Sequence, residues 1–152
     1  MSTPHPDPRL SDILARQADM QGALLPILHA VQEAFGHIPE TARAPIAEAL
    51  NISRAELAGV ISFYHDYRDA PAGRRILKIC RAEACQSMGG RDLEADVQAL
   101  LNLDWGGTTP EGAITLEPVY CLGLCACAPA AMIDDRPIGR AEAKSLVAEA
   151  RR

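Results

Sequence analysis

Residues 113–125, "AITLEPVYCLGLC", join a short run of β-forming residues to a pair of cysteines. Residues 74–85, "RRILKICRAEAC", have the same arrangement. Between them, residues 89–103 place apolar side chains at helical spacing. A strand, a helix and a strand over this length favour a right-handed crossover, which makes the two strands parallel. We therefore predict that Cys80 and Cys121 lie at neighbouring strand ends.

The remainder of this half completes a small α/β domain. Residues 130–134, "AAMID", and 136–139, "RPIG", predict a short hairpin, and residues 140–152, "RAEAKSLVAEARR", predict a closing helix. This organisation places all five cysteines in loops at one end of a domain that spans residues 71–152.

The first half of the chain has helical periodicity from Leu10 to about Arg68. One helix is predicted to end at "GHIP", because Gly36 can adopt a left-handed conformation and Pro39 cannot continue the turn. A second helix is predicted over Arg43–Leu50, with Pro45 in its first turn.

A capping box opens a third helix in this half. Ser53 and Glu56 in "SRAE" have the required spacing, and the helix that follows carries an apolar stripe that consists of Leu57, Val60, Ile61 and Tyr64. Residues 1–70 are thus predicted to form a helical bundle, with a boundary in the Pro/Gly segment "RDAPAGR". The chain as a whole is predicted to be α+β.

Composition restricts the classes of function. The formal net charge is −5 and the pI is about 5.3, so the chain has no basic field for nucleic acid. The N-terminal "MSTPHPDPRL" lacks the pattern of a secretory signal, and no run of roughly 18 apolar residues predicts membrane insertion. We therefore expect a cytoplasmic protein, in which grouped thiols are more often metal ligands or redox groups than structural disulfides.

The two cysteine pairs are compatible with three kinds of site. Each iron of a 2Fe-2S cluster takes two external thiolates, and "CRAEAC" and "CLGLC" supply one pair each. Structural zinc accepts both spacings, although zinc sites more often separate their cysteines by two residues. A thiol oxidoreductase is disfavoured because the chain has no C-x-x-C motif. No histidines are paired, so no histidine ligand or Rieske centre is predicted.

Several neighbours of the cysteines are secondary candidates. Cys125 is preferred to Cys127 as the fourth ligand, because Cys127 is readily explained as a small packed side chain. Gly123 would let the backbone wrap closely around a cluster. Arg81 directly follows Cys80 and would offset part of a cluster charge of about −2, or it is an ordinary exposed arginine.

These residues resemble a known family. "CRAEAC" and "EPVYCLGLCACAP", together with "ALLPILHAVQEAFGHIP" and "GVISFYHDY", are similar to the thioredoxin-like 2Fe-2S ferredoxin subunit of complex I (the 24-kDa type) and its relatives in NAD-linked hydrogenases and formate dehydrogenases. The similarity runs from about Ala23 to Ala131. It implies a thioredoxin-like domain with one 2Fe-2S cluster, whose ligands fall on Cys80, Cys85, Cys121 and Cys125.

Within the family, "CRAEACQSMGG" and "CLGLCACAPAAM" most resemble the gamma subunit of the molybdenum-containing, NAD-dependent formate dehydrogenase. That resemblance implies an electron-transfer subunit with no substrate site of its own. Its partners would be a beta-type subunit that binds FMN and NAD and an alpha-type subunit that holds the molybdenum cofactor and further iron-sulfur clusters. The helical region would dock on the flavoprotein, and Phe63 and Tyr64 are the predicted contacts, unless they belong to the bundle's own core.

Overall fold

The computed structural model describes residues 7–152. The chain divides into two compact units, one that ends at Pro71 and one that runs from Ala72 to Arg152. The first six residues of "MSTPHPDPRL", on which part of the expectation about targeting depends, lie outside the described residues. Helices and a four-stranded mixed sheet make up the described residues, so the predicted α+β class is confirmed.

The described part of the first unit, residues 7–71, is built from four helices. They are α1 (Pro8–Gln17), α2 (Leu24–Phe35), α3 (Glu40–Ala49) and α4 (Arg54–Phe63). Their apolar faces meet in one core, in which the fully buried aliphatic side chains are Ile27, Leu28, Val31, Ile38, Ile46 and Leu57. The predicted end of α2 is confirmed: Gly36 has φ 76°, and its N–H donates to the Gln32 carbonyl at 2.7 Å.

The predicted start of α3 is wrong. The helix begins at Glu40 rather than Arg43, so Pro45 lies inside the helix and not in its first turn. Proline has no N–H, and the helix therefore lacks one hydrogen bond at this position. Burial of Ala42, Ile46 and Ala47 in the core stabilises the helix in spite of this loss.

The apolar stripe predicted for α4 is correct at Leu57 and Ile61 but wrong at Tyr64. Tyr64 lies just beyond the helix and is 44% exposed. Tyr67 is buried instead, and its ring lies against those of His29 and Tyr64 with centroids 5.4 and 6.0 Å away. The chain leaves the helical conformation at Tyr64, where ψ is 100°, so helical periodicity no longer determines which side chain faces the core.

The second unit contains the sheet. Its strands are β1 (Arg75–Cys80), β2 (Ile114–Val119), β3 (Ala130–Ile133) and β4 (Arg136–Gly139), in the order β2-β1-β3-β4. After β1 the chain forms a short helical turn, α5 (Glu83–Cys85), and a π-helical turn (Gln86–Gly90) that leads into α6 (Arg91–Leu101). A 3-10 turn (Cys125–Cys127) precedes β3, and α7 (Ala143–Ala150) closes the unit.

The parallel pair and the hairpin that the sequence predicts are both present, and the pairing of β3 with β1 is a further feature of the structure. β1 and β2 are parallel, with Ile79 opposite Pro118 and Cys80 opposite Val119. β3 pairs antiparallel with the other edge of β1, and β4 completes a hairpin with β3. The sheet shares its core with α6 and α7, which contribute the buried residues Leu93, Val97, Leu101, Leu146 and Val147.

Gly90 makes the closest backbone approach near the first cysteine pair. A Cβ at this position would lie 2.6 Å from the Cys85 carbonyl oxygen. The φ of Gly90 is −58°, which any residue can adopt, so the requirement for glycine is steric. The π-helical turn therefore packs tightly on the residue that carries the Cys85 thiol.

No helix within residues 7–152 has the length and apolar character needed to cross a membrane.

We predict that Ser53→Ala destabilises the helical unit by about 1 kcal/mol. Ser53 Oγ accepts a hydrogen bond from the Glu56 N–H at 3.1 Å, and the Glu56 carboxylate accepts one from the Ser53 N–H at 2.8 Å. Thermal unfolding followed by helical circular dichroism measures the loss. Ser62→Ala is the matched control in the same helix, because Ser62 donates only to the Gly59 carbonyl and alanine is the better helix former. Equal melting temperatures for the two variants would contradict the prediction.

We predict that Gly90→Ala destabilises the sheet-containing unit by about 1–3 kcal/mol, because the added methyl group displaces the Cys85 carbonyl. Trp105, the single tryptophan, lies in this unit, so its fluorescence during denaturant unfolding reports the change. Gly59→Ala is the control: a Cβ there meets nothing within 4 Å, and the helix gains roughly 1 kcal/mol of propensity. An unchanged Trp105 transition in Gly90→Ala would show that the turn adapts without cost.

Candidate metal centre

The first candidate pair is buried. Cys80 is the last residue of β1 and Cys85 the last residue of α5, and both are 2% exposed. They share a small apolar cluster with Ala128 and Ala130, apart from the main core. The prediction that all five cysteines lie in loops is therefore wrong for Cys80 and Cys85, because a strand and a short helical turn position this pair.

Backbone N–H groups surround the Cys80 thiol. Burial on its own raises the pKa of Cys80, but hydrogen bonds from the Ala82 N–H, from the Cys85 thiol and from the N–H groups of Cys121 and Leu122 lower it overall. The Cys121 and Leu122 donors come from the segment after β2, so the two cysteine-bearing segments meet at Cys80. This arrangement favours a thiolate at a buried position.

The pKa of the Cys85 thiol shifts in the opposite direction. Burial and the hydrogen bond with Cys80 raise it, and the Ala130 N–H offsets part of this effect. Ala130 is the first residue of β3, so the antiparallel strand also contributes a donor to the site. The pKa values of the two hydrogen-bonded thiols thus shift apart, as expected for two coupled groups.

The second candidate pair is exposed. Cys121 lies two residues beyond β2, Cys125 begins the 3-10 turn, and their Sγ atoms are 3.9 Å apart. Cys121 has φ 80°, a conformation that is unusual for a residue other than glycine. Gly123 also has positive φ, 76°, and its N–H donates to the Cys121 Sγ at 3.5 Å. The loop thus curls around the Cys121 sulfur.

The two pairs lie near each other. The Cys125 thiol interacts electrostatically with both Cys80 and Cys85, and its hydrogen bond with Cys121 is the main cause of its raised pKa. Within residues 7–152, no group of three or more His, Cys, Asp or Glu side chains is arranged to hold a single metal ion. The four thiols lie as two adjacent pairs, and a 2Fe-2S cluster requires one pair for each iron. The donor set and the converging N–H groups fit such a cluster.

Cys127 is packed differently from the other four. A Cβ at Gly139 in β4 would lie 2.7 Å from the Cys127 Cβ, so the two backbones are in direct contact. The Cys127 carbonyl accepts from the Arg140 N–H at 2.6 Å, and its own N–H donates to the Leu124 carbonyl at 2.8 Å. Cys127 is thus half-buried, with its Cβ packed against Gly139 of β4.

Sequence reasoning missed the partners of Arg81. The side chain contacts Glu94 and Trp105, which lie 13 and 24 positions further along the chain. The helical spacing of residues 89–103 predicted α6 but gave no reason to pair its Glu94 with Arg81. The only available signal was the position of Arg81 directly after Cys80.

Comparison with known proteins identifies the family of this chain. Residues 10–150 match the model of the thioredoxin-like 2Fe-2S ferredoxin family. The chain is 38% identical over 117 residues to a component of the NADH-quinone oxidoreductase of Pseudomonas aeruginosa, a match that covers 77% of this chain and 70% of that protein. It is 29% identical over 132 residues to the HndA component of the NADP-reducing hydrogenase of Solidesulfovibrio fructosivorans, covering 85% and 77% of the two chains.

A solved structure shares the fold. The crystal structure of an NAD+-reducing NiFe-hydrogenase in the air-oxidised state superposes with a TM-score of 0.69 at 27% identity. The match covers 89% of this chain but 23% of the hydrogenase chain, so the present chain spans about a quarter of that longer protein. The resemblance inferred from "CRAEAC" and "EPVYCLGLCACAP" is confirmed, and so is the thioredoxin-like ferredoxin fold. The chain belongs to the thioredoxin-like 2Fe-2S ferredoxin family.

Proposed function

We propose that this chain is the electron-transfer subunit of an NAD-dependent oxidoreductase complex, and that Cys80, Cys85, Cys121 and Cys125 hold its one 2Fe-2S cluster. Membership of the ferredoxin family supports a 2Fe-2S cluster on this chain. The observation that carries the ligand assignment is the meeting of two thiol pairs at the same end of the parallel strands β1 and β2. When bound, such a cluster exchanges one electron at a time.

Different residues of the chain would bind opposite sides of this cluster. Cys80 and Cys85 bind on the inner side, where Ala128 and Ala130 exclude water. The N–H groups of Ala82, Cys121, Leu122 and Ala130 supply positive dipoles that offset negative charge on sulfur. Cys121 and Cys125 bind on the outer side, from a loop whose shape depends on the positive φ of Gly123.

The exposure of the second pair supports transfer to a partner rather than chemistry within this chain. Cys121 and Cys125 are exposed, and the preceding Tyr120 is 69% exposed. A redox centre that reaches the surface on one side can exchange electrons with a neighbouring subunit. No catalytic substrate site is assigned to this chain, and the complex as a whole acts as the enzyme.

For the parent complex, we propose the molybdenum-containing, NAD-dependent formate dehydrogenase, with this chain as its gamma subunit. The support is the resemblance of "CRAEACQSMGG" and "CLGLCACAPAAM" to that subunit. The partners would then be the beta-type subunit with FMN and NAD and the alpha-type subunit with the molybdenum cofactor and further clusters. Respiratory complex I and NAD(P)-linked hydrogenases are the alternatives, and the relatives from Pseudomonas aeruginosa and Solidesulfovibrio fructosivorans carry names of those kinds.

The helical unit is proposed as the docking region for the flavoprotein. Phe63 is 72% exposed and Tyr64 is 44% exposed, and the two rings lie edge to face with centroids 5.1 Å apart. Exposed aromatic pairs are typical of protein interfaces, so this finding favours contact with a partner over a place in the bundle's own core. The cytoplasmic location stays a prediction from the sequence.

We expect serine at any one of Cys80, Cys85, Cys121 or Cys125 to abolish or strongly disturb the 2Fe-2S spectrum, since each variant removes one thiolate from an iron. Visible absorption and low-temperature EPR of the anaerobically purified, dithionite-reduced chain measure the effect. Cys127→Ser is the matched control and should retain the parent spectrum. A normal spectrum in Cys125→Ser would overturn the ligand assignment.

The same preparation distinguishes the cluster from structural zinc. The proposal expects two irons and two sulfides per chain after reconstitution. If each chain instead keeps one tightly bound zinc ion through reconstitution with iron and sulfide, the electron-transfer proposal is rejected in favour of a structural zinc site.

The parent complex is tested by purifying the native assembly through a tag on this chain. We expect molybdenum, FMN and formate-dependent reduction of NAD+ in the purified assembly. If the purified assembly instead catalyses NADH-dependent quinone reduction, or hydrogen-dependent NAD(P)+ reduction, formate dehydrogenase is rejected in favour of complex I or a hydrogenase.

The docking surface is tested in the same purification. Phe63→Ala should weaken recovery of the flavoprotein, whereas Met20→Ala, at another exposed apolar side chain of the helical unit, serves as the control.

A further inference from the structure

Three side chains form a network that includes the residue directly after Cys80. The Arg81 Nε donates to Glu94 Oε2 at 3.0 Å, and the indole N–H of Trp105 donates to Glu94 Oε1 at 3.3 Å. The Arg81 guanidinium also lies over the Trp105 ring, 5.2 Å from its centroid. Each carboxylate oxygen of Glu94 thus has its own donor, and the two donors contact each other.

The network joins segments that are separate in sequence. Arg81 extends the β1–β2 pairing by one residue, because its N–H donates to the Val119 carbonyl at 2.8 Å. Glu94 lies near the start of α6, directly after the turn that follows Cys85, and Trp105 lies between α6 and β2. The contact between Arg81 and Glu94 therefore joins the two ends of the segment that carries Cys85, and Cys80 directly precedes that segment.

The two charges of this network lie on residues that flank Cys85 in the chain. Arg81 is bonded directly to Cys80, and the Glu94 side chain is only 16% exposed. Partly buried charges are screened less by salt than surface charges are. A reduced cluster carries one more negative charge than an oxidised one, so a nearby cation favours reduction and a nearby anion opposes it.

We propose that Arg81, Glu94 and Trp105 form a positioning network that fixes the charge next to Cys80 and so sets the midpoint potential of the cluster. Glu94 neutralises the guanidinium, and Trp105 holds both partners in place. This inference rests on the proposed function, because it requires a cluster at Cys80.

Two substitutions of opposite charge test the inference in the full chain reconstituted with iron and sulfide. Glu94→Gln leaves Arg81 without its counter-charge, so the midpoint potential should become more positive. Arg81→Gln leaves Glu94 unneutralised, so the potential should become more negative. Arg81→Lys retains the cation and should stay closer to the parent than Arg81→Gln does. EPR-monitored redox titration measures all three.

Glu149→Gln is the matched control. Glu149 pairs with Arg136, which lies opposite Ile133 at the end of the β3–β4 hairpin far from Ala130, so its removal should leave the potential unchanged. The inference would be overturned if the midpoint potential shifts in the same direction in Glu94→Gln and Arg81→Gln. It would also be overturned if the potential shifts in neither variant. If Glu94→Gln binds no cluster, the comparison of Arg81→Gln with Arg81→Lys tests the inference. Equal shifts of the midpoint potential in these two variants would exclude an effect of charge.

The fluorescence of Trp105 tests the network without the cluster. In the cluster-free chain, Glu94→Gln and Arg81→Gln should both shift the emission to longer wavelength, because the indole gains contact with water, whereas Glu149→Gln should not. Unshifted emission in both variants would overturn the network itself. A parent chain that binds no cluster would instead contradict the proposed function, and it would leave this readout intact.

Discussion

The parallel pairing of β1 with β2 is the constraint on which the site depends. It carries the chain from Cys80 through a helix and back, so that Cys121 follows a strand that ends beside Cys80. The N–H groups of Cys121 and Leu122 then reach the Cys80 sulfur. An antiparallel pair would send the two cysteine-bearing segments to opposite ends of the sheet. The fold therefore brings together thiols that are 41 positions apart with no cross-link between them.

The other edge of β1 adds a second constraint. β3 runs antiparallel to β1, so the segment with Cys125 and Cys127 enters the sheet from the same end at which β1 finishes. Ala130 supplies an N–H to Cys85 where β3 begins. β1 thus lies between both partners that complete the site. This central position explains why the buried pair belongs to the β1 side and the exposed pair to the loop.

The strand and helix pattern around the cysteines could be read from the sequence because each step depends on local periodicity and on the handedness of the crossover. The features that could not be read depend on tertiary contacts. Pro45 lies inside α3 because packing of Ile46 outweighs one missing hydrogen bond. Tyr67 replaces Tyr64 in the core because the chain leaves the helix at Tyr64. The pairing of Arg81 with Glu94 joins two elements whose relative position no local pattern specifies.

The small side chains that are buried around Cys80 explain why the site lies apart from the main core. The main core packs large side chains such as Ile79, Leu116 and Leu146, whereas the site packs Cys80, Cys85, Ala128 and Ala130. Interiors are close-packed, so small side chains bring the backbones nearer to one another. When the backbone segments are this close, their N–H groups can donate to the cysteine sulfurs. Larger side chains would push the segments apart. The replacement of Ala130 by leucine would need room that the close packing does not offer, so β3 would move away and the Ala130 N–H would no longer reach Cys85.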